Sequence, residues 1–337
     1  MSMPPDRPWR PDRRALLLAG GAGLLLAACG RETTGAPGPA AGVLRASVTG
    51  RGANDMRLLL RASGLEPQGY RVDYSEFQSG HLVIEALNGG ALDYGSMSEI
   101  PPAFAAASSR QSFRQIAVVR GDVNNQVVLL PRGSQIRDLA GLRGKRVGYV
   151  RATTTQYFLI RMLQSVGLGW GDIVPVPMTV SDGAAAFSSG ALDAWAIYGF
   201  PIQRAMATEG ATILRSALGF LSGNYVVSAH VDALADPERA RLIGDYLTLS
   251  QRAHRWAAAH HDRLAPLVAD AIGVPVAYVR DQLARQSDDY MLGPVTPAAI
   301  ASQQAVADLF AEQKLIPRAV DMKPLWDDRY TRILETA

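Results

Sequence analysis

The chain has 337 residues, 48% of them hydrophobic and 19% charged, which supplies two cores of about 100–150 residues each and excludes a disordered chain. Its formal net charge is +3, and residues 1–28 carry two of those charges through four Arg against two Asp. The remaining body is near neutral and has no Lys/Arg run interleaved with aromatics, so it offers no nucleic-acid footprint.

The chain opens with a basic stretch ending Asp12-Arg13-Arg14, followed by an apolar run from Ala15 to Ala28 and then Cys29-Gly30. This is the layout of an export signal over residues 1–28. As a helix the run spans about 21 Å, short of a hydrocarbon core of roughly 30 Å, so it is not a stable membrane span. Cys29 follows Leu26-Ala27-Ala28 and is the single cysteine of the chain. That context resembles the bacterial lipobox, which implies lipidation of Cys29 and tethering to a membrane surface in the periplasm or at the cell surface. Arg13-Arg14 also resembles a twin-arginine motif. With Cys29 so used, no thiol is left for a disulfide, a zinc site or a nucleophile. The remainder of residues 29–42 is rich in Gly, Pro and small side chains and reads as a flexible tether.

From Val43 onward, short β-branched runs alternate with helical patterns, the mark of βαβ units in an α/β fold. Strands are expected at residues 43–49, 70–77, 91–97 and 115–120, with helices at 54–63, 81–88 and from Pro101. The same order recurs as strands at 146–150, 173–178 and 191–198, with helices at 154–166, 184–189 and from Pro201. Gly90-Ala91-Leu92-Asp93 is echoed by Gly190-Ala191-Leu192-Asp193 in the same context. Two copies of one plan imply two lobes. Two apolar segments beside asparagines, 126–130 and 225–229, read as strands crossing between them, a hinge that closes on a ligand. The expected division is 43–125 plus 226–337 for lobe 1 and 126–225 for lobe 2.

The region from about Asp236 onward is mostly helical by pattern, with Tyr246 and Trp256 on the apolar side of a helix begun by Pro237, and is expected to pack on lobe 1. His254 and His261 share a helix face, and His260 adjoins them, but no carboxylate or cysteine completes a metal site at recognisable spacing. No metal or other cofactor is expected. The chain also lacks a Gly-x-Ser-x-Gly elbow, His-Glu-x-x-His and a phosphate loop, and Gly50-Arg51-Gly52 has no third glycine to complete a dinucleotide fingerprint. These absences argue against an enzyme.

What the strand-to-helix turns do offer is small and hydroxyl-bearing residues: Gly50-Arg51-Gly52, Gln78-Ser79-Gly80 with His81, Ser98-Glu99, and Thr153-Thr154-Thr155. In open α/β sheets ligands bind at such turns, and backbone N–H groups at a helix N-terminus favour an anion. The same residues also serve as ordinary helix caps. Asn125 and Asn224, beside the crossing segments, complete the candidates there.

Several stretches carry a family resemblance. Glu76-Phe77-x-x-Gly80, Glu85-Ala86-Leu87-Asn88, Leu92-Asp93-Tyr94-Gly95 and Pro101-Pro102-x-Phe104 come first; Asp138-Leu139-x-Gly141-Leu142-x-Gly144-Lys145-x-Val147 and Ala186-Phe187-x-x-Gly190-x-Leu192-Asp193-Ala194-Trp195 follow in order. Together they resemble the substrate-binding proteins of sulfonate, taurine and nitrate ABC importers. The resemblance implies a periplasmic-binding-protein fold of type II, with two α/β lobes joined by two crossing strands. It further implies a monomer that captures a small anionic solute, most readily a sulfonate, and delivers it to a permease with a cytoplasmic ATPase. The four turns and Arg51 would hold the anion. After Asp193-Ala194-Trp195 the family often has an aromatic-acid-Pro sequence, where this chain has Tyr198-Gly199-Phe200-Pro201. Lack of the acid argues against a cationic amine on the ligand, and Trp195, Tyr198 and Phe200 suggest an apolar or aromatic tail. The alternatives are an enzyme on the same scaffold, desulfinase-like or related to pyrimidine precursors, with His81 as its only cleft histidine, or a ligand sensor.

Overall fold

The computed structural model describes residues 42–108 and 111–336. The expected signal peptide, Cys29 and all of the expected tether except Gly42 lie outside the described residues.

The first half alternates as the β-branched runs suggest: β1 (Val43–Thr49), α1 (Met56–Ser63), β2 (Arg71–Phe77), α2 (Gly80–Asn88), β3 (Tyr94–Ser98), α3 (Ile100–Ser108) and β4 (Phe113–Arg120). A second series follows: β5 (Gln126–Leu130), β6 (Arg146–Tyr149), α4 (Thr154–Ser165), β7 (Val174–Pro177), α5 (Val180–Ser188), β8 (Ala194–Tyr198), α6 (Pro201–Glu209) and β9 (Thr212–Ser216). The chain then returns through β10 (Asn224–His230), α7 (Val231–Ala235), the long α8 (Pro237–Ala259), α9 (His261–Ile272), α10 (Val276–Ala284), β11 (Met291–Gly293), α11 (Pro297–Glu312) and α12 (Thr331–Thr336). Helix starts follow local chemistry. Thr153, Thr179, Asp236 and Thr296 each accept a backbone N–H as N-caps, and prolines open α6, α8 and α11. Helix α5 begins at Val180 rather than 184 because Thr179 caps it from Asp182 N.

Two sheets result. The larger runs β11-β4-β10-β3-β1-β2 and the smaller β7-β6-β8-β5-β9. Both are mixed: β1 is parallel to β2 and β3, and β6 is parallel to β7 and β8, whereas β10 and β5 run antiparallel to their neighbours. The chain passes between sheets twice, at residues 121–125 and 217–223. The strands β5 and β10 that follow are themselves full sheet members, and Asn224 and Tyr225, expected with the smaller lobe, pair with Arg120 and Val119 of β4.

The two passages are bonded to each other. Gly121 N donates to Gly223 O at 3.0 Å, and a Cβ at Gly223 would lie 2.9 Å from Gly121 O. Asp122, 1% exposed, accepts from Asn124 N, Asn125 N, Ser287 N and Ser287 Oγ. Tyr225 Oη donates to Asp122 O at 2.9 Å and accepts from Gln126 Nε2 at 2.9 Å.

The echoed tetrapeptides have one structural job performed twice. Arg45 binds Asp93 through its backbone N–H and its guanidinium and donates to Gly90 O; Arg146 repeats every one of these contacts on Asp193 and Gly190 O. One pair ties β1 to the turn that enters β3, the other ties β6 to the turn that enters β8. Burial opposes ionisation of Asp93, but the Arg45 hydrogen bonds and charge outweigh it and hold its pKa below the usual carboxylate value. The C-terminal helices bury one face of the larger sheet: Leu242, Tyr246 and Val268 pack with Leu44, Tyr94, Val119 and Val227 in one core.

Candidate functional site

A cavity of about 190 Å³ lies between the sheets, lined from the larger by Ser96, Ser98 and Gly80 and from the smaller by Thr153, Thr154 and Tyr198. The sheets also touch beside it. Phe200, which caps α6, lies against Gly50, 3.5 Å from where a Cβ there would sit. Tyr198 Oη donates to Gln78 O at 3.3 Å and Ser181 Oγ to Gln78 Oε1 at 3.1 Å. Ile160 of α4 packs with Ile100, Val306 and Phe310 of the other side.

The four turns are not equivalent. Gly50-Arg51-Gly52 does not open a helix, because α1 begins at Met56 and is capped by Asp55, whose carboxylate already takes the free Arg57 N–H and is held by the Arg57 guanidinium. Arg51 and Gly52 line the cavity, but the Arg51 side chain is 58% exposed and pairs with Glu76 at 3.4 Å. At α3 the prolines Pro101 and Pro102 remove two N–H groups. Glu99, 4% exposed, points into the structure, where it accepts from Ser222 Oγ at 2.5 Å, Ser302 Oγ at 3.0 Å and Asn224 Nδ2 at 3.4 Å. Burial raises the Glu99 pKa, with these hydrogen bonds opposing it. Glu99 and Asn224 thus latch the 217–223 passage to α11 and do not line the cavity.

The N-termini of α2 and α4 carry no carboxylate: Ser79 makes no cap bond at α2, and at α4 the neutral Thr153 hydroxyl accepts only the Thr155 N–H. Gly80 and Thr154 both line the cavity, one from each sheet. The Ser79 hydroxyl is no helix cap; it lies 3.0 Å from His81 Nδ1, and burial lowers the pKa of that ring. Gly80 is required by packing, since a Cβ would sit 2.8 Å from Met97 Cβ and 2.9 Å from Pro101 Cγ. At α4, Thr153 and Thr155 turn their hydroxyls onto Val150 O, at 2.8 Å and 3.0 Å, while Thr154 has no hydrogen-bond partner for its hydroxyl among the described residues. The turn before them holds Ala152 at φ 57, a left-handed conformation a non-glycine residue seldom adopts.

Of the residues expected at the site, Arg51, Gly52, Gly80, Ser98, Asn125, Thr153, Thr154 and Tyr198 line the cavity. Gln78, Ser79 and His81 line a separate outer groove with Arg151 and Asp182. Gly50 is under Phe200, Thr155 is fully buried in the α4 turn, and Trp195 is 1% exposed in the core of the smaller sheet, where it cannot meet a ligand. Gly199, at φ 73, occupies a left-handed backbone conformation that favours glycine.

Sequence reasoning did not identify Asn54, Gln126, Tyr225, His254, Tyr290 or the α9 residues that also line the cavity. His254 Nε2 is 3.0 Å from Asn54 Oδ1, and desolvation, opposed by the Ser250 backbone, lowers its pKa to about 4, so the ring is neutral at pH 7. With its Nε2 bonded to Tyr225, Gln126 keeps Oε1 buried and without a partner among the described residues. Among the described residues no cluster of His, Cys, Asp or Glu could hold a metal, and no helix is long and apolar enough to cross a membrane.

The family described as NMT1/THI5 like matches residues 66–262, more than half of the chain. This protein belongs to the NMT1/THI5-like family. Among its relatives is the putative aliphatic sulfonates-binding protein of Escherichia coli (strain K12), 30% identical over 254 residues that cover 75% of this chain and 78% of that one. Among solved structures, the alkanesulfonate-binding protein SsuA from Xanthomonas axonopodis pv. citri, bound to MOPS, has a TM-score of 0.74 at 27% identity over 86% of this NMT1/THI5-like chain and 98% of that one. The fold extends to the desulfurization enzyme DszB, with a TM-score of 0.60 at 16% identity over 87% and 99% of the two chains. The fold is that of the periplasmic binding proteins.

Proposed function

We propose that this protein is the extracytoplasmic solute-binding component of an ABC importer. It captures a small organic anion, a sulfonate, by closing its two lobes and delivers it to a permease driven by a cytoplasmic ATPase. The observation that carries this reading is the pair of helix N-termini free of carboxylate caps, that of α2 beside the larger sheet and that of α4 beside the smaller, meeting one cavity. Each presents backbone N–H groups and the positive end of a helix dipole, so an anion between them gains from both lobes only when they are closed. SsuA from Xanthomonas axonopodis pv. citri is an alkanesulfonate-binding protein, and a tetrahedral oxyanion suits two converging sets of N–H donors.

The protein binds its solute without transforming it. Its single cysteine, Cys29, directly follows the expected export signal, where it would be lipidated, and His254, which lines the cavity, is neutral and bonded to Asn54. Lipidation at Cys29 would hold the monomeric body at a membrane surface on the periplasmic side.

Thermal unfolding of the purified protein against sulfonates, sulfate esters, carboxylates and nitrate tests the reading. A ligand at a hundred times its dissociation constant adds about 2.7 kcal/mol to stability. A selective rise in Tm with sulfonates supports the assignment; a rise with carboxylates alone, or none across the panel, refutes it.

A further inference from the structure

The cavity does not stop at the ends of α2 and α4. It runs on between the larger sheet and the helices covering it, where Val119 of β4, Val227 of β10 and Leu292 of β11 oppose Val268 and Ile272 of α9. All five are at most 7% exposed. The charges that line the cavity elsewhere belong to the segment before α1. Arg51 of that segment is drawn toward Glu76 on β2, the edge of the sheet opposite β11 and β4, and Asp55 is neutralised by Arg57. The other titratable side chains lining the cavity are uncharged: His254, bonded to Asn54, and the hydroxyls of Tyr94, Tyr198, Tyr225 and Tyr290, whose ionisation burial opposes. An anionic headgroup would lose its hydration there and meet no positive charge, whereas a hydrocarbon would gain by leaving water.

Size narrows the occupant. A dry cavity of roughly 150 Å³ accepts benzene, and the whole cavity here, the sulfonate end included, measures about 190 Å³, so the apolar group beside a sulfonate can be no larger than about one ring. We infer that the space between β4, β10, β11 and α9 is a tail subsite that selects sulfonates bearing an uncharged, ring-sized apolar group, with the sulfonate held at α2 and α4. This rests on the sulfonate-binding reading above. It moves the tail away from Trp195, which is sealed in the smaller lobe, and makes Val268 and Ile272 the residues that set ligand size.

Calorimetric titration of the purified protein with methanesulfonate, ethanesulfonate, butanesulfonate and benzenesulfonate tests the subsite. Each methylene transferred from water should tighten binding roughly fourfold, so benzenesulfonate should bind at least about tenfold tighter than ethanesulfonate. Val268→Phe fills the subsite: it should weaken benzenesulfonate about tenfold or more and leave methanesulfonate within twofold. If that variant melts far below the wild type, Val268→Ala serves instead and should improve binding of a naphthalenesulfonate relative to benzenesulfonate. Equal affinities for ethanesulfonate and benzenesulfonate, or variants that change every sulfonate alike, overturn the tail subsite while leaving sulfonate binding intact. Failure of the wild type to bind any sulfonate overturns the parent reading and this one with it.

Discussion

Acid should destabilise this protein through one buried histidine. His254 is 3% exposed and its pKa falls from 6.5 to about 4 on folding. A histidine with a depressed folded pKa leaves the unfolded chain binding more protons between the two values, so stability present at pH 7 is lost as pH falls through that window. At pH 5 the unfolded state lies about 1.5 units below its own pKa and the folded state is still mostly neutral. At about 1.4 kcal/mol per unit, roughly 2 kcal/mol is lost relative to pH 7. That corresponds to a drop of a few degrees in Tm for a chain of this size. The assay compares wild type with His254→Gln, which keeps a partner for Asn54 but cannot titrate. Carboxylates contribute equally to both proteins, so the difference between their pH 7 to pH 5 losses isolates His254. Wild type should lose about 2 kcal/mol more than the variant; equal losses would refute the placement of a neutral, desolvated ring at this position.

Three further outcomes follow from particular contacts. Asp93→Asn leaves the Arg45 guanidinium without its carboxylate and should cost about 2 kcal/mol in denaturant melts at pH 7. Because the Asp93 pKa is lowered, that stabilisation is complete above the ordinary aspartate pKa and should fade as pH falls through the lower folded value, with the variant lacking this slope. The echoed, more exposed Asp193→Asn should cost less. Glu99→Gln should raise the denaturation midpoint at neutral pH: the Glu99 pKa is raised by burial, so its charged form is disfavoured there and wild type gains stability as pH falls toward that value, a gain absent from the variant. Trp195→Ala should cost about 3–5 kcal/mol through the void it leaves, while Trp195→Phe should leave ligand affinity within twofold because the indole touches no part of the cavity.

The alternation of elements was legible because strands such as β1, β4, β5 and β8 are short apolar or β-branched runs bounded by turn residues, and the caps Thr153 and Thr179 are written locally. Pairing was legible only by halves. The repeat of Gly90 to Asp93 at Gly190 to Asp193 revealed the two-lobe plan, but the arginines that use those aspartates lie 48 and 47 residues away and are set by sheet order. Trp195 was misassigned to the ligand because every residue of β8 except Tyr198 is buried, so no alternation marks which side chains meet the cleft. The first turn failed for a different reason. Asp55 reads as an ordinary cap, and its consequence, a helix end already occupied by a carboxylate, depends on Arg57 folding back onto it. The tail-side walls were beyond reach of any local pattern, since α9 and β11 meet β4 and β10 from far along the chain.

The central claim is that a sulfonate is held between the N-termini of α2 and α4. A crystal structure of the protein with 4-bromobenzenesulfonate tests it most directly, because anomalous scattering locates the bromine and the sulfur separately. Sulfur is expected beside the backbone N–H groups of Gly80 and Thr154 and bromine toward Val268 and Ile272. Sulfur beside Arg51 on the exposed rim, or in the outer groove with His81, would contradict it.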